Sequence, residues 1–248
     1  LTDSYFNRVN VHPAASVFLS PTLDLYASPA LWQPNNPQTL SQGQAVYTAV
    51  SLKSAATGHT LIAVDPSAGY TPNTSSTMTV TANTATGLIV TLPGETQVDG
   101  KNTAPVGRTG SVSTQTVGVP FTATAYAVDS FFNFVSTITR PQITLTADDP
   151  NTPTQGSFPM TGGMATMTGI TMGTARSTLL TAADTGPLSG SLGQRQASPL
   201  PVKSGQPTRI QLLVAGEAPS PGAPGGKIGL PSSITAGSNV AVTVRVTA

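Results

Sequence analysis

Asp3-Ser4-Tyr5-Phe6-Asn7-Arg8-Val9 returns almost unchanged as Asp129-Ser130-Phe131-Phe132-Asn133-Phe134-Val135, 126 positions later (129 − 3). That distance lies far above the periods of roughly 20–50 residues that mark solenoid repeats, and close to the length of a small β-domain of ~100 residues. The repeating unit is therefore read as a domain.

Other landmarks return in the same order. Leu92-Pro93-Gly94-Glu95 is matched by Val214-Ala215-Gly216-Glu217, and Gly107-Arg108-Thr109-Gly110 by Gly226-Lys227-Ile228-Gly229. Gly43-Gln44-Ala45-Val46-Tyr47-Thr48 is matched by Gly163-Met164-Ala165-Thr166-Met167-Thr168. The match divides the chain into 1–83, the later part of one repeat; 84–205, a complete repeat; and 206–248, the opening of a third. The chain does not begin with Met and shows no signal peptide, so it is expected to be a segment of something longer.

Composition narrows the class. Charged residues make up 8% of the chain, against about 25% in ordinary globular proteins, while 24 Gly and 22 Pro accompany abundant Thr, Ser and Val. This is the composition of strands joined by many turns. A net charge of +1 supplies no field for nucleic acid or anionic lipid. No apolar run reaches the ~18–20 residues of a membrane span, so no membrane insertion is expected. The absence of cysteine removes disulfides and thiolate chemistry.

Period-two stripes mark the strands. Val17 and Leu19 stand where Ile143 and Leu145 stand in the next copy. Val46, Thr48, Val50 and Leu52 correspond to Thr166, Thr168, Ile170 and Met172, so a strand is predicted in both copies. Further strands are expected at 59–64 and 178–183, closed by Asp65 and Asp184, and at 77–81, where Met78 and Val80 match Leu200 and Val202. Leu88, Val90 and Leu92 correspond to Ile210, Leu212 and Val214. Phe121, Ala123, Ala125 and Ala127 correspond to Val240, Val242, Val244 and Val246.

Several residues carry candidate chemistry. His59 aligns with Thr178 and is read as a partly exposed strand residue; His12, beside Pro13, has no counterpart and is read the same way. Trp32 sits in a Pro- and Asn-rich stretch as either a packing plug or a contact residue. The long loop from Pro93 to Gly118 keeps an acid and a base in both copies, which predicts the pairs Glu95–Arg108 and Glu217–Lys227. Asp129 and Asn133, like Asp3 and Asn7, have the spacing of two oxygen ligands for a cation, or of a turn in which side chains bond their own backbone. Asp148 and Asp149 add carboxylates nearby, and the first copy is read as having no matching pair. No Gly-x-Ser-x-Gly elbow, phosphate loop or His-Glu-x-x-His is present, and no catalytic, cofactor or metal residue is assigned.

The succession Pro-Gly-Glu, Gly-Arg/Lys-x-Gly, a Val/Ala strand, Ala-Val-Asp-x-x-x-Asn, Gly-Gly-x-Ala-Thr and Thr-Ala-Ala-Asp resembles bacterial Ig-like domains, the invasin-type modules of large repetitive surface proteins. Phe6 and Phe132 depart from that pattern by standing where a turn glycine is usual. The resemblance implies an all-β fold of tandem immunoglobulin-like antiparallel β-sandwich domains, no cofactor, and an extracellular or cell-surface location. The function expected is a non-catalytic structural segment of a filament, sheath or stalk that associates head to tail with itself. The alternative is an adhesin or carbohydrate-binding module, with surface glycans as partners. An open apolar stripe at Val240, Val242, Val244 and Val246, and another at Val17, Leu19, Val50 and Leu52, are expected to be completed by the continuing chain or by strand exchange between subunits.

Overall fold

The computed structural model describes residues 1–10, 15–153, 155–187 and 191–248. His12 lies outside the described residues. Among those described, the chain is all-β, its helical content limited to the short 3-10 turns Pro29–Leu31 and Pro224–Gly226. It forms two compact units. The first comprises Leu1–Thr84, Val98–Gly107 and Asp129–Phe134, and the second Ala85–Gln97, Arg108–Val128 and Val135–Ala248.

In the second unit, strand Phe121–Val128 lies between Gly87–Thr91 and Met164–Ile170, antiparallel to both. Ala125 opposes Val90 on one side and Ala165 on the other. A second sheet orders Ser157–Met160, Arg140–Ala147, Leu180–Asp184 and Gln194–Gln196, again antiparallel. Side chains from both sheets share one core: Leu88, Val90 and the alanine stripe from the first, Ile143, Leu145, Leu180 and Ala182 from the second. The alanines leave volume that Met160, Met167 and Met172 fill in the same core. Each large buried side chain contributes about 1.5–3 kcal/mol, so these alternating positions hold the sheets together. One pairing departs from the antiparallel expectation: Gln115–Thr116 runs parallel to Leu200–Lys203.

Residues 206–248 contribute strands Arg209–Val214 and Val242–Thr247, paired with Ile210 opposite Val246 and Leu212 opposite Val244. This repeats the pairing of Leu88 with Ala127 and Val90 with Ala125. The side chains nonetheless lie open to solvent: Ile210, Leu212, Val244 and Val246 are 77%, 52%, 63% and 70% exposed, whereas Leu88 and Val90 are at most 3% exposed.

The first unit holds the sheet Gln38–Thr39, Ser16–Pro21, Leu61–Val64 and Asn73–Thr74. Ala56–His59 pairs separately with Met78–Val80. Strand Ser16–Pro21 is half-buried throughout, while its counterpart Arg140–Ala147 buries Ile143 and Leu145 completely. The strand predicted over 45–52 does not form, and Val46 and Val50 are exposed. Its counterpart Met164–Ile170 exists because it hydrogen-bonds along Phe121–Val128. The 45–52 stretch shows only the isolated bridge of Ala49 to Gln33 among the described residues, and a lone extended segment leaves its backbone groups to water.

Candidate functional site

The Asp-x-x-x-Asn heptapeptide folds as one turn in both copies. Asp129 Oδ1 accepts the backbone N–H groups of Phe131 and Asn133 at 2.8 and 2.9 Å, and Asp3 Oδ1 accepts those of Tyr5 and Asn7 at 2.9 Å each. The Asn side-chain amide donates back to the carboxylate at 3.0 Å in each case. Phe132 and Phe6 take φ of 67° and 65°, the left-handed geometry a turn glycine would supply. The turn reading thus accounts for these carboxylate oxygens, which face N–H donors. Among the described residues, no cluster of three or more His, Cys, Asp or Glu could hold a metal ion.

What the two turns touch is different. Asn133 is buried, its Nδ2 donating to the Lys53 carbonyl at 2.8 Å and its Oδ1 accepting from Ala55 N–H at 2.7 Å. Asp129 Oδ2 also accepts from Asn83 N–H at 2.9 Å. The turn of the second repeat therefore clamps both strand ends of the first, within one compact unit. Burial opposes ionisation of Asp129, yet the donors from Asn133, Asn83 and Phe131 outweigh it and hold its carboxyl below the ordinary aspartate value.

A second contact accompanies the first. Asp24 accepts the backbone N–H groups of Lys53 and Ser54 and, at 3.1 Å, the Ser54 hydroxyl. Ser54 Oγ also reaches the carbonyl of Asp99 at 3.3 Å, in the long loop of the next repeat. Gly100 packs so tightly here that a Cβ would lie 2.3 Å from Ser54 Oγ. The hydroxyl, carbonyl and glycine contacts recur inside the second unit, where the Gly173 N–H goes to Thr152 Oγ1 in place of the aspartate. Thr174 Oγ1 donates to Asp149 at 3.0 Å and reaches the carbonyl of Pro221 at 3.5 Å, and a Cβ on Gly222 would lie 2.2 Å from it. For Asp24 and Asp149 alike, burial works against the charged form, and the surrounding hydrogen bonds still lower the pKa.

This clasp was missed in the sequence, where Asp149 has no obvious partner in the first copy. Asp24 is that partner, 125 positions earlier (149 − 24), a spacing within one residue of the Asp3/Asp129 offset. The signal was obscured because the loops that follow, 25–37 and 150–161, do not match residue for residue.

The paired charges of the long loop do meet. Arg108 Nε lies 3.3 Å from Glu95 Oε1, and Lys227 Nζ lies 2.6 Å from Glu217 Oε1. The Arg108 and Glu95 side chains are buried, and Ser198 bonds to both. Burial pushes the Arg108 guanidinium below its ordinary pKa, against the pull of Glu95. Glu217 is lowered by the hydrogen bond from Lys227.

Two singled-out residues lie inside. His59 is completely buried, not partly exposed, with Nε2 2.9 Å from the Ser54 carbonyl and Nδ1 unpartnered. Its counterpart Thr178 is also fully buried with an unpartnered hydroxyl, so the position is internal in both repeats. Trp32 is 2% exposed, with Nε1 donating to the Ser51 carbonyl at 3.2 Å. It is a packing plug. No helix among the described residues is long and apolar enough to cross a membrane.

Fold and clasp together define an all-β protein of mainly antiparallel sheets, built on an internal duplication in which an aspartate, a hydroxyl and a closely packed glycine meet twice. No family model matches the chain, and no curated protein matches it.

Proposed function

We propose that the chain is a non-catalytic structural segment of an extracellular or cell-surface filament, sheath or stalk, made of tandem immunoglobulin-like sandwiches that associate head to tail. The observation that carries this reading is the clasp, built once by Asp24, Ser54 and Gly100 and again by Asp149, Thr174 and Gly222. An array of repeats needs one joint that can be copied indefinitely, and this contact is made mostly of backbone groups and small side chains, which do not depend on the identity of the neighbouring loops. The buried Asp129–Asn133 turn adds further bonds at the first joint. The alternative of an adhesin or carbohydrate-binding module draws no support from Trp32, which faces the interior.

Sedimentation velocity of the full chain over a wide concentration range tests the assembly, with growth into open-ended oligomers expected. Antibody labelling of intact cells against lysed ones tests the location, with labelling of intact cells expected. A chain that stays monomeric at every concentration and is reached only after lysis would overturn the reading. Specific retention on a glycan array without self-association would favour the adhesin.

A further inference from the structure

The parallel pairing in the complete repeat joins two segments that lie far apart in sequence. Gln115–Thr116, at the close of the long loop, runs beside Leu200–Lys203, the last strand before the next repeat opens at 206. Gln115 stands opposite Val202 and Thr116 opposite Lys203, and the Val117 N–H donates to the Lys203 carbonyl at 3.0 Å. Leu200 and Val202 are buried in the core, and Val117 packs against it. A second tie joins the same two segments. The buried Glu95 and Arg108 side chains hold Ser198 between them, its hydroxyl donating to Glu95 Oε1 and accepting from Arg108 Nε at 3.2 Å. The stretch 93–117 thus grips 198–203 twice.

Direction decides what such a grip does under load. Tension along the chain pulls residues 85–117 toward their N-terminal end and residues 198–205 toward their C-terminal end. In a parallel pair those pulls are opposed and lie along the common strand axis, so the bonds across it are loaded together and must break together. Strands drawn apart from one shared end lose their bonds one at a time. The other strand pairs among the described residues of 85–205 are antiparallel. Parallel pairing is slightly less stable per residue than antiparallel, so stability does not account for its place here.

We infer that the long loop is a tension latch, which holds the last strand of the complete repeat in shear and so resists opening of that repeat along the chain. The latch rests on the reading of the chain as a structural segment, which supplies the load. The turn that follows it offers a variant lacking one latch bond. The Thr116 carbonyl accepts from Val119 N–H at 3.1 Å, Gly118 has φ of 73°, and Val117 keeps a negative φ, which makes a type II turn with Val117 at its second position. Proline suits that position, so Val117→Pro removes the N–H that reaches Lys203 and keeps the path of the backbone.

The test is single-molecule force spectroscopy of the full chain. Since the chain has no cysteine, paired cysteines at the exposed positions Thr114, Val119 and Ser204 fix where force is applied. Handles on Thr114→Cys with Ser204→Cys load the parallel pair in shear, and handles on Val119→Cys with Ser204→Cys draw the two strands apart from one end. The segments freed are 90 and 85 residues (204 − 114 and 204 − 119), each about 30 nm at ~3.5 Å per residue, which identifies the event in a force–extension trace. Forced opening is governed by the unfolding barrier along the pulled direction, and a rupture force about twofold or more higher is expected in the shear geometry. Val117→Pro is expected to lower the shear rupture force while shifting the urea midpoint little. Equal rupture forces in the two geometries would overturn the latch, as would an unchanged shear force in folded Val117→Pro; should that variant not fold, the two geometries decide alone. Location and self-association are read by other measurements, so the latch can fail while the structural reading stands.

Discussion

The side-chain amide of Asn133 donates to the carbonyl of Lys53, 80 residues earlier in the chain, at 2.8 Å. The same side chain accepts from Ala55 N–H, so one asparagine satisfies two backbone groups of a segment that belongs to the preceding repeat. Asn7 occupies the identical place in an identical turn and has its amide bonded to Asp3 at the surface.

That contrast predicts unequal costs for one substitution. Asn133→Ala removes two half-buried bonds and leaves the Lys53 and Ala55 groups unpaired, a loss of about 2–3 kcal/mol. Asn7→Ala, in dilute monomer, costs much less. Urea denaturation of both variants checks this, and equal losses would contradict the role assigned to Asn133.

The clasp glycines predict a second effect. At Gly100 and Gly222, with φ of 73° and 82°, an added Cβ would strike the hydroxyls of Ser54 and Thr174. At Gly225, φ is 76° but nothing lies within 4 Å of the added atom. Alanine at Gly225 should show the left-handed backbone cost alone, about 1 kcal/mol, and alanine at Gly100 or Gly222 clearly more. Melting temperatures of the three variants decide it.

The two ion pairs share a motif and differ in burial. Glu95→Ala strands the buried Arg108 guanidinium, for which about 3–5 kcal/mol is expected. Glu217→Ala releases Lys227 into water, with 42% of its side chain already exposed, so little change should follow. Stability curves for both variants provide the comparison.

Acid should loosen the clasp. Asp24, Asp129 and Asp149 all have folded-state pKa values below the ordinary 3.8, so each contributes stability that is complete above about pH 4. That stability falls away as the pH drops below 4 and through the lowered folded values. Asp129→Asn should be less stable than the unaltered chain at pH 7, and the gap should narrow toward pH 2–3. Thermal melts across that range measure the gap, and a constant difference would exclude the Asp129 carboxylate as its source.

Much of the complete repeat was legible in advance because its stripes are strict and both faces of each contact lie in the same copy. Leu88, Val90, Ala123, Ala125, Ile143 and Leu145 alternate with period two, and hydrophobic burial follows that alternation directly. Sign retention in the long loop likewise placed Glu95 by Arg108 and Glu217 by Lys227. The same stripes misled at 45–52, which carries the pattern of a strand but forms only the isolated bridge of Ala49 to Gln33 among the described residues. His59 also escaped, since a single imidazole aligned with a threonine carries no sign of depth.

By itself, then, the sequence determined the all-β class, the period of the duplication and the turn built by Asp3–Asn7 and Asp129–Asn133, because each depends on neighbours within a few residues or on simple alternation. Only the tertiary structure decided that Asn133 is buried against Lys53 while Asn7 lies in solvent, and that Asp24 with Ser54 forms the clasp later rebuilt by Asp149 with Thr174. Those outcomes depend on groups brought together from 25 to 80 residues away, several of them backbone N–H or carbonyl groups that look the same at every position of a sequence.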